Sequence, residues 1–279
     1  MKNILIPTDF SENSFNAVKY AVSFFENIRV RIYFLHVSLI KEVGDEQCYY
    51  EISDARSIDA LKYDPIKRLK YQINKAQDFS ENKNHKFHYI HEYVQFVEAV
   101  RKSIEEKEID LVVMGTKGAA KNNLALLGSH TADVITRVKC PLLIIPAEAV
   151  YKEPKNIVFP TDFNIFYKQR VLKTLSEILK MKGALLSVLF ISKNVADLSL
   201  VQKKNRNYLQ DYLQDKPHSF YSISEKTIDE AIKNYVETNE VDMIAMIAKN
   251  LNFFQRILFQ PTVEKVSYHT KVPFLVLHE

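Results

Sequence analysis

The sequence predicts an α/β protein built from two doubly wound parallel five-stranded sheets in tandem, and three observations predict it. The segment Asn3-Ile4-Leu5-Ile6-Pro7-Thr8-Asp9-Phe10 returns as Asn156-Ile157-Val158-Phe159-Pro160-Thr161-Asp162-Phe163, a shift of 153 residues. Ile109-Asp110-Leu111-Val112-Val113-Met114 returns as Val241-Asp242-Met243-Ile244-Ala245-Met246, a shift of 132, and Val138-Lys139-Cys140-Pro141 returns as Thr270-Lys271-Val272-Pro273 in that register. Self-similarity of this kind means two half-chains on one plan. Each half also alternates short apolar runs with amphipathic ones, the pattern of βα units around a parallel sheet. Finally, Leu111-Val112-Val113-Met114 and Leu142-Leu143-Ile144-Ile145 are unbroken apolar runs, as strands covered on both faces must be.

In the first half, strands are expected at 2–7, 30–37, 86–93, 110–114 and 142–146, with helices near 12–26, 56–82, 95–107 and 129–137. Helix 12–26 sets Phe15, Val18, Val22 and Phe25 on one stripe at spacings of three and four, a core face, with Ser11 as N-cap. In the second half, strands are expected at 156–160, 184–190, 218–223, 242–246 and 274–278. The two shifts differ by about 21 residues, so the first half carries an insertion, expected in the charged, tyrosine-rich stretch 40–85. Pro154, among Lys152, Glu153 and Lys155, marks a polar linker and places the domains at 1–147 and 154–279.

With 47% hydrophobic and 26% charged residues, the chain can bury real cores. The net charge is +4, roughly +1 and +3 for the two halves. Neither half has the dense basic stripe of a nucleic-acid binder, and Lys203-Lys204-Asn205-Arg206 reads as a solvated helix face. Cys48 and Cys140 form no CxxC or metal spacing, so no disulfide framework or zinc site is suggested. Three apolar residues before Pro7 are too few for a signal peptide, and no run approaches a membrane span. The expectation is a cytoplasmic protein that binds neither nucleic acid nor membrane.

Three of the five glycines fall in one window, Gly115-Thr116-Lys117-Gly118 and, after nine residues, Gly128-Ser129, between the fourth strand and a helix. A helix N-terminus offers unpaired N–H groups and partial positive charge to a phosphate. Gly115 and Gly118 would allow a tight turn, and Gly128 a close approach to backbone. Ser129 and Thr131 could add hydroxyl donors, and Lys117 and Lys121 could neutralise charge or simply be solvated. There is no G-x-x-x-x-G-K-[ST] and no G-x-G-x-x-G after the first strand, which excludes the two better-known nucleotide loops. In a Rossmann-like sheet of strand order 3-2-1-4-5, the ligand crevice lies between strands one and four, where Asp9 and Gly115 would face each other. Asp9 suits a sugar hydroxyl, an adenine amine or a metal, or else caps the following helix. His36-Val37 could offer an apolar wall and backbone polar groups to a base. His130 lacks an evident nucleophile or metal partner and reads as a helix-surface residue.

At these positions the chain resembles the universal stress protein family in a tandem form, through Pro7-Thr8-Asp9-Phe10-Ser11, His36-Val37 and Met114-Gly115-Thr116-Lys117-Gly118 with Gly128-Ser129. The resemblance implies a doubly wound α/β fold and ATP as cofactor, with Mg or Mn as metals that could accompany it. It implies a nucleotide site of Pro7, Thr8, Asp9, Val37, Met114, Gly115, Lys117, Gly118, Gly128, Ser129, His130 and Thr131, with Asp9 and Val37 toward ribose and adenine. It also implies pairing of domains through their last strands, 142–146 and 274–278, as an intrachain pseudo-dimer, or a homodimer.

The second half departs where it matters. Gly115, Gly118, Gly128 and Ser129 become Ile247, Asn250, Gln260 and Pro261, and Phe253-Phe254 add bulk. Pro261 has no N–H to give. One nucleotide site, in the first domain, is therefore expected, in a protein acting in stress response or signalling through nucleotide-dependent conformation or partner binding. No base stands beside the loop, so at most slow ATP hydrolysis is expected. The alternative is a protein-interaction module that binds no nucleotide, using the second domain or Tyr49-Tyr50, Tyr63 and Tyr71 of the insertion. An adenylyl-forming enzyme is disfavoured by the missing glycine-rich turn after strand one.

Overall fold

The computed structural model describes residues 1–43, 46–50, 64–116, 128–192, 198–225, 228–248 and 271–278. It divides into two compact units, Met1–Tyr151 and Lys152–Glu279. In the first, β1 (Lys2–Pro7), β2 (Val30–Val37), β5 (Lys86–Glu92), β6 (Leu111–Gly115) and β7 (Leu142–Ile145) form a parallel sheet in the order β5-β2-β1-β6-β7. In the second, β8 (Asn156–Thr161), β9 (Leu185–Ser192), β10 (His218–Ser224), β11 (Met243–Ile247) and β12 (Phe274–Leu277) run β10-β9-β8-β11-β12, again all parallel. Each is a 3-2-1-4-5 doubly wound sheet, so each has a switch point between its first and fourth strands.

The core follows the strand chemistry. Ile4, Leu5, Ile6, Val112, Val113 and the whole of β7 are buried, and β8 and β11 repeat this. The edge strands β5 and β10 are half exposed and correspondingly polar. Helix α1 (Glu12–Phe24) is capped by Ser11, whose hydroxyl accepts the Ser14 N–H, and it buries Phe15, Val18 and Val22, with Phe25 following at its C-cap. The remaining helices of the first unit are α2 (Pro65–Phe79), α3 (Phe96–Lys107) and α4 (Ser129–Arg137). Those of the second are α5 (Gln169–Lys182), α6 (Leu200–Leu213) and α7 (Ile228–Thr238).

Two expectations are corrected. The helix expected at 56–82 begins only at Pro65, because Asp64 is extended and its carboxylate caps the N–H groups of Ile66 and Lys67, while proline is favoured in a first turn. The stretch 40–85 also holds an element that periodicity does not announce. Strands β3 (Leu39–Val43) and β4 (Glu46–Tyr50) pair antiparallel as a separate two-stranded sheet. Residues 38–64 join β2 to α2, where 193–199 suffice between β9 and α6, so the insertion lies in this connection.

Among the described residues, four non-glycine residues have left-handed backbones: Phe10, Glu108, Phe163 and Glu240. They form two equivalent pairs. Phe10 (φ 64°) and Phe163 (φ 56°) end the turn after the first strand of each unit, and Glu108 (φ 49°) and Glu240 (φ 46°) follow the helix before the fourth. Such a backbone is costly for a bulky residue and persists only when its surroundings fix it.

Candidate nucleotide site

The turn after β1 is fixed by its own side chains. The Thr8 hydroxyl oxygen accepts the Phe10 N–H (3.0 Å), and Asp9 Oδ1 accepts the Ser11 N–H (3.0 Å) and hydroxyl (2.6 Å). Ser11, not Asp9, is the helix cap, so the carboxylate serves the turn. Thr8 also shares a hydrogen bond with the Ser14 hydroxyl (3.1 Å), tying the turn to α1, and its N–H continues the ladder to Leu35 O. Since β1 pairs with β6, this turn and Gly115 leave the sheet at the same end.

Gly115 is the last residue of β6, in register with Ile145, so it does not make the tight turn expected from the sequence. Gly128, the N-cap of α4, is extended at φ −68° and ψ 153°, open to any residue. As N-cap, Gly128 brings no side chain to the helix entrance and so makes no side-chain cap bond to the first-turn amides. The cradle is held together by its backbone. The Gly128 N–H donates to Thr116 O (2.6 Å), the Thr116 N–H to Ile145 O (3.0 Å), and the Thr131 hydroxyl to Gly115 O (2.9 Å). Thr131 is thus buried and engaged as a bracket between α4 and β6.

Pro7 ends β1, Val37 ends β2 and Met114 lies within β6, all three buried. Ser129 and His130 are on the first turn of α4, where the His130 ring rests on Phe96 at the start of α3 (centroids 4.5 Å apart). The structure therefore brings Pro7, Thr8, Asp9, Val37, Met114, Gly115, Gly128, Ser129, His130 and Thr131 to one end of one sheet. Lys117, Gly118 and Lys121 lie outside the described residues.

Of the aromatic and basic groups beneath this end, the sequence singles out His36 and Phe10 but not Arg68 or His91. His36 Nδ1 contacts Thr8 O (2.9 Å) and its ring packs on Phe10 (4.4 Å); the Arg68 guanidinium lies 4.2 Å from the Phe10 ring centre. His91 stacks on His36, with ring centroids 5.8 Å apart. Alternation along β5 could have put His91 on one face with Tyr89, but only the strand register pairs it with His36.

At the second switch point the backbone recurs with other side chains. Thr161 accepts the Phe163 N–H (3.0 Å), and Asp162 accepts the Asn164 N–H (2.9 Å) through Oδ1 and its side-chain amide (3.0 Å) through Oδ2. Ile247, in the place of Gly115, is buried and lines a small crevice with Phe159, Pro160, Thr161, Tyr167 and Met246. Tyr167 stands where the first unit has Ser14; its hydroxyl bonds Thr161 (2.6 Å), and burial raises its pKa.

Among the described residues no helix is long and apolar enough to cross a membrane. The family model described as the universal stress protein family matches residues 1–146 and again 153–278. Two universal stress proteins of Methanocaldococcus jannaschii are similar. One is 28% identical over 162 residues, covering 55% of this chain and 84% of the relative; the other is 26% identical over 155 residues, covering 52% and 94%. The crystal structure of a universal stress protein from Archaeoglobus fulgidus superposes with a TM-score of 0.63 over 99% of this chain and 98% of that one, and at 19% identity this speaks to the fold alone. With two matches that together span nearly its whole length, the chain belongs to the universal stress protein family.

Proposed function

We propose that the first domain binds one adenine nucleotide, ATP, across the ends of β1 and β6, and that occupancy sets the protein's conformation or partners in stress response or signalling. The observation that carries this reading is the N-terminus of α4, presented by Gly128 without a side-chain cap beside the Asp9 turn. Asp9, Thr8, Pro7 and the end of β2 at Val37 serve ribose and adenine. Met114, Gly115, Gly128, Ser129 and His130 line the ribose and phosphates, with Lys117 and Gly118 from the intervening segment, while Thr131 holds the helix in place. A Mg or Mn ion would enter with the phosphates. In the second domain the larger Ile247 and Tyr167 stand in the places of Gly115 and Ser14 and line only a small crevice, which supports a single site per chain.

Denaturing the purified protein and chromatographing what is released tests this directly. About one adenine nucleotide per chain is expected; two would overturn the single-site reading. None, even after incubation with ATP, would favour the interaction-module reading. Gly128→Val keeps an allowed backbone, so it should cost only about 1 kcal/mol of stability. By blocking first-turn amides, it should weaken ATP binding roughly 100-fold. Undiminished affinity would remove α4 from the site.

A further inference from the structure

We propose that His36 and His91 form a titratable brace beneath the turn that carries Asp9, so that the geometry of this turn, and with it nucleotide affinity, follows the protonation of the pair. The affinity part rests on the nucleotide reading above; the brace itself does not.

His36 is only 3% exposed. The Thr8 carbonyl can only accept, so the 2.9 Å contact makes His36 Nδ1 the donor and fixes the tautomer of the neutral ring. The same ring packs on Phe10, the residue whose left-handed backbone closes the turn. One imidazole therefore holds both ends of Thr8-Asp9-Phe10. His91 is its register partner on β5; the two rings stack at 5.8 Å with an interplanar angle of 22°. His91 Nε2 contacts the Ser38 hydroxyl (3.0 Å), and its ring packs on Tyr93.

The charged groups around the pair come from three elements and the turn. Helix α2 brings Arg68, over Phe10, and Asp64 precedes it as its cap; β5 brings Glu92, which is paired at 2.9 Å with Lys102 of α3; the turn brings Asp9. Burial, then His36, hold the His91 pKa below its usual value against the pull of Glu92 and Asp64. A histidine pair this close resists double protonation. Protonation of both rings therefore requires them to separate, and Phe10 and Thr8 move with His36.

The second domain is an internal control. By strand register Phe190 occupies the position of His36 and Ser222 that of His91. Phe163 stacks on Phe190 at 5.3 Å with Phe220 nearby at 6.3 Å. The same left-handed turn is thus built on rings that cannot titrate.

The test copies the second domain into the first in the full-length protein, as His36→Phe and, separately, His91→Ser, the latter at a half-exposed position that tolerates change. ATP affinity is measured from pH 7.5 to 5.5, and the ratio of each variant to wild type cancels the nucleotide's own titration. Wild-type affinity should fall about tenfold more than that of either variant over this range. In parallel, the backbone amide resonances of Phe10 and Ser11 in nucleotide-free protein should track the His91 ring titration in wild type and stay still in His36→Phe. Amides that ignore the histidine titration, or a pH-independent affinity ratio, would overturn the brace. If neither the wild type nor either variant binds ATP at any pH, the nucleotide reading fails, and the amide titration alone decides the brace.

Discussion

At their switch points the two domains share a backbone and differ in side chains. Thr8 and Thr161 each receive the N–H of a left-handed phenylalanine, and Asp9 and Asp162 each receive the N–H two residues on. Around this common turn the first domain places Ser14, Gly115 and His36 where the second places Tyr167, Ile247 and Phe190. In the first domain small and polar groups stand beside a helix N-terminus; in the second, larger side chains line a small crevice. The turn is thus a common scaffold, held in both domains by hydrogen bonds internal to four residues, whereas the side chains that differ are brought to it from elsewhere in each unit.

The sharpest way to break this comparison is to return the small residue to the second domain. Ile247→Gly should cost about 4 kcal/mol, since it empties a buried position and frees the chain. It should bring no second nucleotide, because Tyr167 still closes the crevice and Gln260-Pro261 cannot replace Gly128-Ser129. Urea unfolding and released-nucleotide counts check both; a second nucleotide would mean one side chain was the whole barrier.

A somewhat smaller effect separates the domains by pH. His278, buried after β12, has its pKa lowered to about 4, by burial first and then by the charge of Arg170. Its neutral form is favoured by folding, so the associated stability is complete above the unfolded value near 6.5 and is lost as pH falls toward 4, on the order of 3 kcal/mol in all. His278→Leu should flatten the acid dependence of second-domain unfolding across this window, measured by denaturant titration at pH 7 and pH 4.5. An unchanged slope would show that His278 titrates normally.

The smallest contrast lies in an aspartate repeated on the opposite end of the sheets. Asp110 Oδ2 accepts the Asn3 N–H (2.8 Å) from an exposed position. Asp242, its side chain 4% exposed, accepts the N–H groups of Lys155 and Asn156 and pairs with Lys152 at 2.8 Å. Burial alone would raise its pKa, but Lys152 and the two amides outweigh that and hold it low. Its contribution is present above the ordinary aspartate range and lost as pH falls below it. Asp242→Asn should therefore cost about 2 kcal/mol and Asp110→Asn less than about 1; equal losses in thermal unfolding would erase the distinction.

Much of this is legible in advance because it is local or periodic. The strands β1, β6 and β7 hold apolar runs, α1 carries its own cap in Ser11, and the repeat fixes the number of domains before any coordinate. The start of α2 is hard to place because Asp64-Pro65 is a start signal set within a continuing amphipathic stretch. The β3–β4 hairpin escapes notice because its residues alternate too weakly to stand apart from the surrounding charged segment. At the site, the glycines are conspicuous in the sequence, but their purpose differs in part from the one expected. Gly115 is a strand residue and Gly128 has an ordinary extended backbone, so neither position requires glycine for its backbone conformation.

By itself, then, the sequence determined two doubly wound domains, the turn after each first strand, and the loss of glycine from the second, since these follow from spacing and steric demand within short segments. Only the tertiary structure decided that His36 meets His91, that Arg68 covers Phe10, that Thr131 is spent on Gly115, and that Tyr167 bonds Thr161 at the second crevice. Most of these contacts join residues from elements far apart in the chain. Their meeting is set by strand order, register and helix placement, which no local pattern records.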